Sequence, residues 1–598
     1  MISPNDRSVL SDALTPPAGF EFDSGFISTY SLDLVTLLGL PVYLAWMASA
    51  TDTEGPPEAL AVIESMRRVA GRLTVFCQRA RIHAPRVASP LLGLLEPMVR
   101  EVTPPHGGVF HPKVWLLKFL RHDGDEAKLV LMVSSRNLTE DASWDVCLRL
   151  EGRPGKKPAS ANSDIKRLVH HAMKQSTKEL PAARIEALNA LAEDAARAEW
   201  DIPPRFENVR FHLLGAGAKR KSWLPTPPEG AWDSLGVVSP FVEGEALARL
   251  AEASRNPLFF VSRQESLQKI AVLPKGFSYK ILCEQAIADV EADDKANRDL
   301  GLHAKIFVAK RGWETHLFIG SANATNAALI AGINTEFMVE LVGRANAANK
   351  VGPPDALIQE HGLGPMLRDF DPTEIVPTEH DASEALLEGA RDAIACASLC
   401  LKCVRDEAEW PMSLIGASNL QVGKVEVRAW PVTVREEQAL SITACNGDSI
   451  VFKGLLSHEI TSLIAFRLRH QGVELSFTLD LKLTGAPPDR DLEILRAAVK
   501  NRDGFVRYLQ LLLGDWQPFS VGGGKGSKGK TAGAGADDPV PLFELMVRML
   551  AHDPSRLSNI AKVVDRLRRE SKDDETVMPP EFLKIWASFE PVLREMQL

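Results

Sequence analysis

Phe110-His111-Pro112-Lys113-Val114-Trp115-Leu116-Leu117, followed after a short break by Leu131-Met132-Val133-Ser134-Ser135-Arg136-Asn137, is the stretch on which the fold turns. A counterpart lies further along: Leu302-His303-Ala304-Lys305-Ile306-Phe307-Val308, then Leu317-Phe318-Ile319-Gly320-Ser321-Ala322-Asn323. Both run histidine, any residue, lysine, apolar run, turn, apolar run, small residue, serine, any residue, asparagine. From histidine to asparagine the distance is 26 residues in the first and 20 in the second. A longer hairpin at Arg121–Ala127 accounts for the difference.

The order of side chains follows from chemistry. Residues i and i+2 of a strand share a face, so each HxK on a strand sets an imidazole beside an ammonium group. The strand that follows ends in a serine and an asparagine, which add hydroxyl and amide groups beside that face. A phosphodiester anion needs such donors and a cation in a fixed cradle. Breaking it needs a nucleophile and an acid for the departing oxygen. One copy offers one histidine; two copies facing each other supply both roles.

The paired motifs resemble the phospholipase D superfamily, whose signature is HxK, then an Asp, then GSxN, present twice per active site. The resemblance covers roughly Phe20–Val342 and includes Val237-Val238-Ser239-Pro240-Phe241 at the opening of the second copy. It implies two α-β-α half-domains related by pseudo-two-fold symmetry, and catalysis without a metal ion or other cofactor. His111 would attack phosphorus to form a phosphohistidine, and His303 would protonate the leaving oxygen and then activate water. Assigning the nucleophile to the first copy follows family habit. Lys113, Lys305, Asn137 and Asn323 would hold the non-bridging oxygens, with Ser135 and Ser321 in support. Glu336 and, as a weaker match, Asp145 would fix the histidine tautomers. The family's Asp falls at Lys118 and Lys310, a departure shared with members resembling tyrosyl-DNA phosphodiesterase, and Ser134 stands where glycine is usual. Arg136, Trp115 and Trp144 are candidate substrate contacts, with Trp313, Arg263, Lys156-Lys157 and Lys219-Arg220-Lys221 as further groove candidates.

Working outward, apolar runs predict strands at Leu73–Cys77, Val114–Phe119 and Leu129–Val133, then at Val209–Leu214, Leu235–Val238, Leu258–Val261, Lys280–Leu282, Lys305–Val308 and Leu317–Ile319. Helical patterns occupy Glu58–Arg72, Pro90–Glu96 and Ala182–Trp200. Alternating strands and helices make the class α/β. The expected organisation is a first half-domain at 1–205, a second at 206–345, a connecting segment at 346–397, a β-rich domain at 398–488 and a helical domain at 489–598. A Gly/Lys/Ser linker interrupts the last at Gly522–Asp538.

Two other patterns have bland explanations. Gly524–Thr531 matches a phosphate-loop string, but Phe505–Leu513 before it is helical and the residues after it are coil, whereas that loop joins a strand to a helix. Cys396, Cys400 and Cys403 have the spacing of an iron–sulfur ligand set, but their alanine-rich surroundings point to thiols packed in a core.

Composition bounds the rest. The chain has 598 residues, 45% hydrophobic and 25% charged, with a net charge of -9, which argues against a general DNA-coating protein. Seven cysteines make no disulfide framework, and no secretory leader or spanning run is visible, so a reduced, cytoplasmic setting is expected. The leading expectation is a metal-independent nuclease acting on nucleic acid, DNA before RNA. Resemblance to prokaryotic defence proteins implies an antiviral role beside a helicase or ATPase partner, away from membranes. An end-processing enzyme resembling tyrosyl-DNA phosphodiesterase, a lipid phosphodiesterase and a non-catalytic scaffold are the competing classes.

Overall fold

The computed structural model describes residues 16–49, 69–283, 301–345, 351–373 and 382–494, apart from short stretches within them, together with Leu14 and part of 584–591. The predicted helix at Glu58–Arg72 falls mostly outside the described residues. So do most of the C-terminal helical domain, the linker at 522–538 and the phosphate-loop string.

The first sheet is built from β1 (Phe20–Thr29), β2 (Leu73–Gln78), β3 (Val99–Val102), β4 (Val114–Arg121), β5 (Ala127–Ser134), β6 (Cys147–Pro154) and β7 (Ala198–Trp200), in the order β3-β2-β1-β4-β5-β6-β7. The second is built from β8 (Asn208–Leu214), β9 (Ser234–Val238), β10 (Pro257–Val261), β11 (Ser278–Leu282), β12 (Ile306–Arg311), β13 (Glu314–Gly320), β14 (Glu336–Arg344) and β15 (Leu367–Asp369). Their order is β15-β11-β10-β9-β12-β13-β14-β8. Without the outer strands the two sheets have one plan: β3-β2-β1-β4-β5-β6 against β11-β10-β9-β12-β13-β14. The directions agree as well. The first three strands of each are mutually parallel, and the remaining pairs are antiparallel.

Small details repeat too. Thr29 at the end of β1 donates its hydroxyl to the Ser31 carbonyl and accepts from the Leu138 amide; Ser239 after β9 does the same with Phe241 and Ala324. Each hydroxyl thereby fixes the loop that carries its own asparagine.

Burial explains why these runs are strands. Most positions of β2, β4, β12 and β14 are buried on both faces, as in strands with cover on each side. Helices α1 (Leu34–Ser49), α2 (Ser163–Lys174), α3 (Ala182–Ala196) and α4 (Gly244–Glu252) supply much of that cover. Phe26, Val114, Leu131, Leu168 and Leu191 of the first half join Val238, Phe259, Ile306, Leu317 and Phe337 of the second in one core. Among the described residues no helix is long and apolar enough to cross a membrane.

Three expectations change. The helix at Ala182–Trp200 stops at Ala196, and Ala198–Trp200 becomes the edge strand β7. Trp200 pairs with Gly152 on β6 and donates its indole N–H to Asn162 at 3.1 Å, a tertiary gain that overrides the helical pattern. The two HxK segments lie just before β4 and β12 rather than inside them, since their backbone partners come from the opposite half. The three clustered cysteines do not share a core: Cys396 is exposed, Cys400 is intermediate and Cys403 is buried.

After a helix α5 (Ala382–Cys396), two four-stranded sheets face each other. One contains β16 (Cys400–Cys403), β17 (Met412–Ile415), β20 (Ser449–Phe452) and β23 (Lys482–Thr484). The other contains β18 (Glu426–Pro431), β19 (Leu440–Ser441), β21 (Leu463–His470) and β22 (Val473–Asp480). They dock on the first half through buried polar groups. Glu101 accepts from the Ala80 amide at 2.8 Å and from the Asp480 amide at 3.1 Å. Burial raises its carboxyl to about 7 against the nearby Arg79.

Candidate active site

Each HxK segment enters the site by pairing with backbone of the other half. His111 donates its amide to the Thr335 carbonyl at 2.9 Å, and Thr335 returns a bond to Val109 at 2.9 Å. In the second copy His303 donates to the Trp144 carbonyl at 2.8 Å, and Trp144 donates to Gly301 at 2.7 Å. Gly108 permits the first crossing, since a Cβ there would lie 1.9 Å from the Ile333 carbonyl oxygen. Thr335 and Trp144 each precede a carboxylate, so the crossing carries Glu336 to the first histidine and Asp145 to the second.

The side chains are therefore exchanged. His111 Nδ1 lies 2.8 Å from Glu336 Oε2, and His303 Nδ1 lies 3.3 Å from Asp145 Oδ1. Each carboxylate is also held by the serine of its own half. Ser321 donates to Glu336, and Ser135 donates to Asp145 at 3.1 Å. Both serines are anchored by main-chain amides, Phe337 N–H to Ser321 at 3.0 Å and Val146 N–H to Ser135 at 2.9 Å. A carboxylate on Nδ1 keeps the proton there and leaves Nε2 with its lone pair.

Lys113 and Lys305 are buried, and each donates to the carbonyl of its own histidine, at 2.8 Å and 2.6 Å. Lys305 Nζ also sits 3.2 Å from His303 Nδ1. Each ammonium acts on the histidine across the cleft as well as its own. Burial is the largest influence on both rings. It takes His111 down to about 4 despite Glu336, and lowers His303, with Lys305 acting in the same direction. Both imidazoles are thus neutral near pH 7. Asn137 and Asn323 each keep a buried side-chain oxygen without a hydrogen-bond partner.

The halves are not identical. Arg136 in the first motif corresponds in position to Ala322 in the second. Arg136 is buried, bonds the Thr139 carbonyl at 2.9 Å and places Nε 4.0 Å from Asp145 Oδ2, so it supports the second histidine's carboxylate. Gly320 is required by close approach, because a Cβ would meet the Phe337 carbonyl at 2.2 Å. Ser134 at the equivalent place turns its hydroxyl to the Arg136 amide at 3.0 Å. Lys118, in the position of the family's Asp, pairs with Asp194 at 2.8 Å.

Trp115 does not serve as a stacking platform: it is buried within the core under α1. Trp144 is half-buried against the shared core and contributes its backbone to the His303 crossing. Trp313 is exposed in the β12–β13 turn. Sequence reasoning missed Tyr30, whose ring centroid lies 5.2 Å from that of His111, with Arg81 and Lys113 at 5.1 Å and 5.7 Å from the Tyr30 centroid. It carries no motif signal beyond standing directly after β1. Among the described residues no three His, Cys, Asp or Glu side chains gather as metal ligands.

No protein-family model matches the chain. No curated protein matches it either. Among solved structures it is similar to a yeast tyrosyl-DNA phosphodiesterase mutant, with a TM-score of 0.36 and 11% identity over 64% of this chain and 98% of that one. It is also similar to polyphosphate kinase from Porphyromonas gingivalis, with a TM-score of 0.27 and 15% identity over 55% of this chain and 44% of that one.

Proposed function

We propose that this chain is a phosphodiesterase that cleaves nucleic acid through a phosphohistidine, with His111 and His303 as its two working groups. One observation carries the reading: each imidazole is oriented by a carboxylate from the opposite half, which supports both rings working together where the halves meet.

In the proposed reaction Nε2 of neutral His111 attacks phosphorus, and the N–P bond forms as the P–O bond to the leaving group breaks. His303 gives that oxygen a proton. Its proton affinity is low in the empty cleft, but a bound phosphodiester anion favours the imidazolium. His303, neutral again, then takes a proton from water. The hydroxide attacks phosphorus, the N–P bond breaks and His111 is restored. Lys113 and Lys305 offset the charge that builds on the non-bridging oxygens. Asn137 and Asn323 suit the same task. A buried amide oxygen without a partner costs about 1–3 kcal/mol, and turning the amide over presents its N–H groups instead.

Nucleic acid is preferred to lipid as substrate because Arg81 and Arg263 stand beside the two histidine segments on aromatic rings. A place in antiviral defence with a helicase or ATPase, and a cytoplasmic location, remain part of this proposal. The test is incubation of the protein with plasmid, single-stranded DNA, RNA and phosphatidylcholine vesicles, all in EDTA. Cleavage of a nucleic acid, with acid-labile nucleotide trapped on the protein, supports the reading. Release of a lipid headgroup alone would overturn it.

A further inference from the structure

An exposed phenylalanine is linked to the second histidine's segment through Arg263. Phe241 is 41% exposed, although its neighbour Val242 is buried. Its carbonyl accepts from Ser239, whose hydroxyl also takes the amide of Ala324, the residue after Asn323. Arg263 lies over the Phe241 ring, 4.9 Å from its centroid, and donates Nε to the carbonyl of Leu302 at 2.9 Å, one residue before His303. The ring is thus tied on two sides to the second motif, with a guanidinium over one face and solvent exposure besides.

The corresponding loop of the first half is built differently. There Tyr30 is turned edge-on to His111, and burial raises its phenol. Arg391 and Glu388 of α5 act on the Tyr30 phenol, and Arg81 lies 3.7 Å from Glu388. The first half's aromatic group is walled in by the C-terminal region, whereas the second half's is open.

Resting on the nuclease reading above, we infer that Phe241, backed by Arg263, is a stacking platform for an unpaired base, and that the preferred substrate is single-stranded. In a duplex both faces of each base are covered by neighbours, so a protein ring stacks on bases that are splayed or single. A guanidinium over the second face stiffens the plate and adds positive charge beside the strand's phosphates. An acyl chain is a poorer occupant. It needs a continuous apolar surface, and among the described residues exposed large apolar side chains such as Val87, Val272, Trp313 and Val404 come from other segments. Because the platform adjoins His303, the stacked nucleotide belongs to the portion that leaves with the protonated oxygen.

The test uses the full chain in EDTA, with Phe241→Ala and Phe241→Trp compared against wild type. The probes are a fluorescent single strand of about 20 nucleotides, its duplex, and a strand of equal length with abasic positions throughout. Binding is read by anisotropy and turnover by gel. Stacking on an aromatic side chain contributes enough for Phe241→Ala to weaken binding of the base-bearing strand roughly 5- to 100-fold. The platform also requires the abasic strand to be unaffected, Phe241→Trp to restore affinity, and the duplex to bind wild type more weakly than the single strand. Equal affinity of wild type and Phe241→Ala for the base-bearing strand overturns the platform, as does an equal loss on the abasic strand. If wild type binds the strand with these preferences but cuts no nucleic acid, the nuclease reading fails while the platform stands.

Discussion

Replacing Glu336 by glutamine tests the exchanged carboxylates most directly. The Glu336 side chain is 1% exposed, and its Oε2 receives both His111 Nδ1 at 2.8 Å and the Ser321 hydroxyl. A hydrogen bond to a charged partner contributes about 1.5–3 kcal/mol, equivalent to roughly 10- to 150-fold in rate. An amide adds a second penalty. Its NH2 group can donate to Nδ1, which moves the ring proton to Nε2 and removes the attacking lone pair. Loss of the correct tautomer alone costs about 10⁴ in other histidine-based sites. The expected fall in kcat is therefore about 10⁴-fold, with KM nearly unchanged. Asp145→Asn is expected to lose less, about 10²-fold, because its contact to His303 is longer, at 3.3 Å, and Arg136 already draws on the same carboxylate. Rapid quenching of a labelled oligonucleotide separates the steps. Glu336→Gln should slow the appearance of protein-bound nucleotide, and Asp145→Asn should slow both its appearance and its release. A folded Glu336→Gln protein that turns over at the wild-type rate would refute the reasoning, since His111 would then need no orienting anion.

Alanine at His111 or at His303 should remove turnover by more than about 10³-fold while leaving the thermal melt within a few degrees; full activity in either ends the assignment. The depressed His111 gives a signed pH effect. Its folded value is about 4 against 6.5, so the unfolded chain binds the extra proton between those limits, and stability contributed by this ring rises with pH up to about 6.5 and is flat above. Wild type minus His111→Gln, followed by urea unfolding from pH 4 to 7, should change by roughly 3 kcal/mol, and a flat difference would contradict it. Glu101 has the opposite sign. Its carboxyl, raised to about 7, costs stability as pH climbs from 4.5 to 7, so Glu101→Gln should gain on wild type over that interval in the same titration. Gly320→Ala must displace the Phe337 carbonyl and should destabilise by about 1–3 kcal/mol, while Ser134→Gly stays within about 1 kcal/mol; equal melting of the two would count against the close approach.

The duplicated core was legible because its chemistry is local. Each HxK and each serine-asparagine pair occupies fixed offsets around an apolar hairpin, and the hairpin length explains why the copies differ in spacing. Glu336 and Asp145 were also visible as carboxylates. Which histidine each one serves was not, because His111 and Glu336 are 225 residues apart and meet only through the backbone crossing at Thr335. The same crossing took the HxK segments out of the strands, since their amide partners lie in the other half. Trp115 misled because an aromatic near a motif suits both stacking and packing, and α1 covers its side of the sheet. Phe241 stood in a quoted motif, but its exposure depends on a loop held by Ser239 and Arg263, which no local pattern encodes.

Because the orienting anions are swapped, moving the two sheets apart would lengthen the Glu336 and Asp145 contacts in the same motion. Neither ring can be disarmed by such a displacement without the other. If the two rings act as proposed, readiness to react rests on the pair of sheets staying together, and a ligand that wedges between them would disarm both rings without touching either.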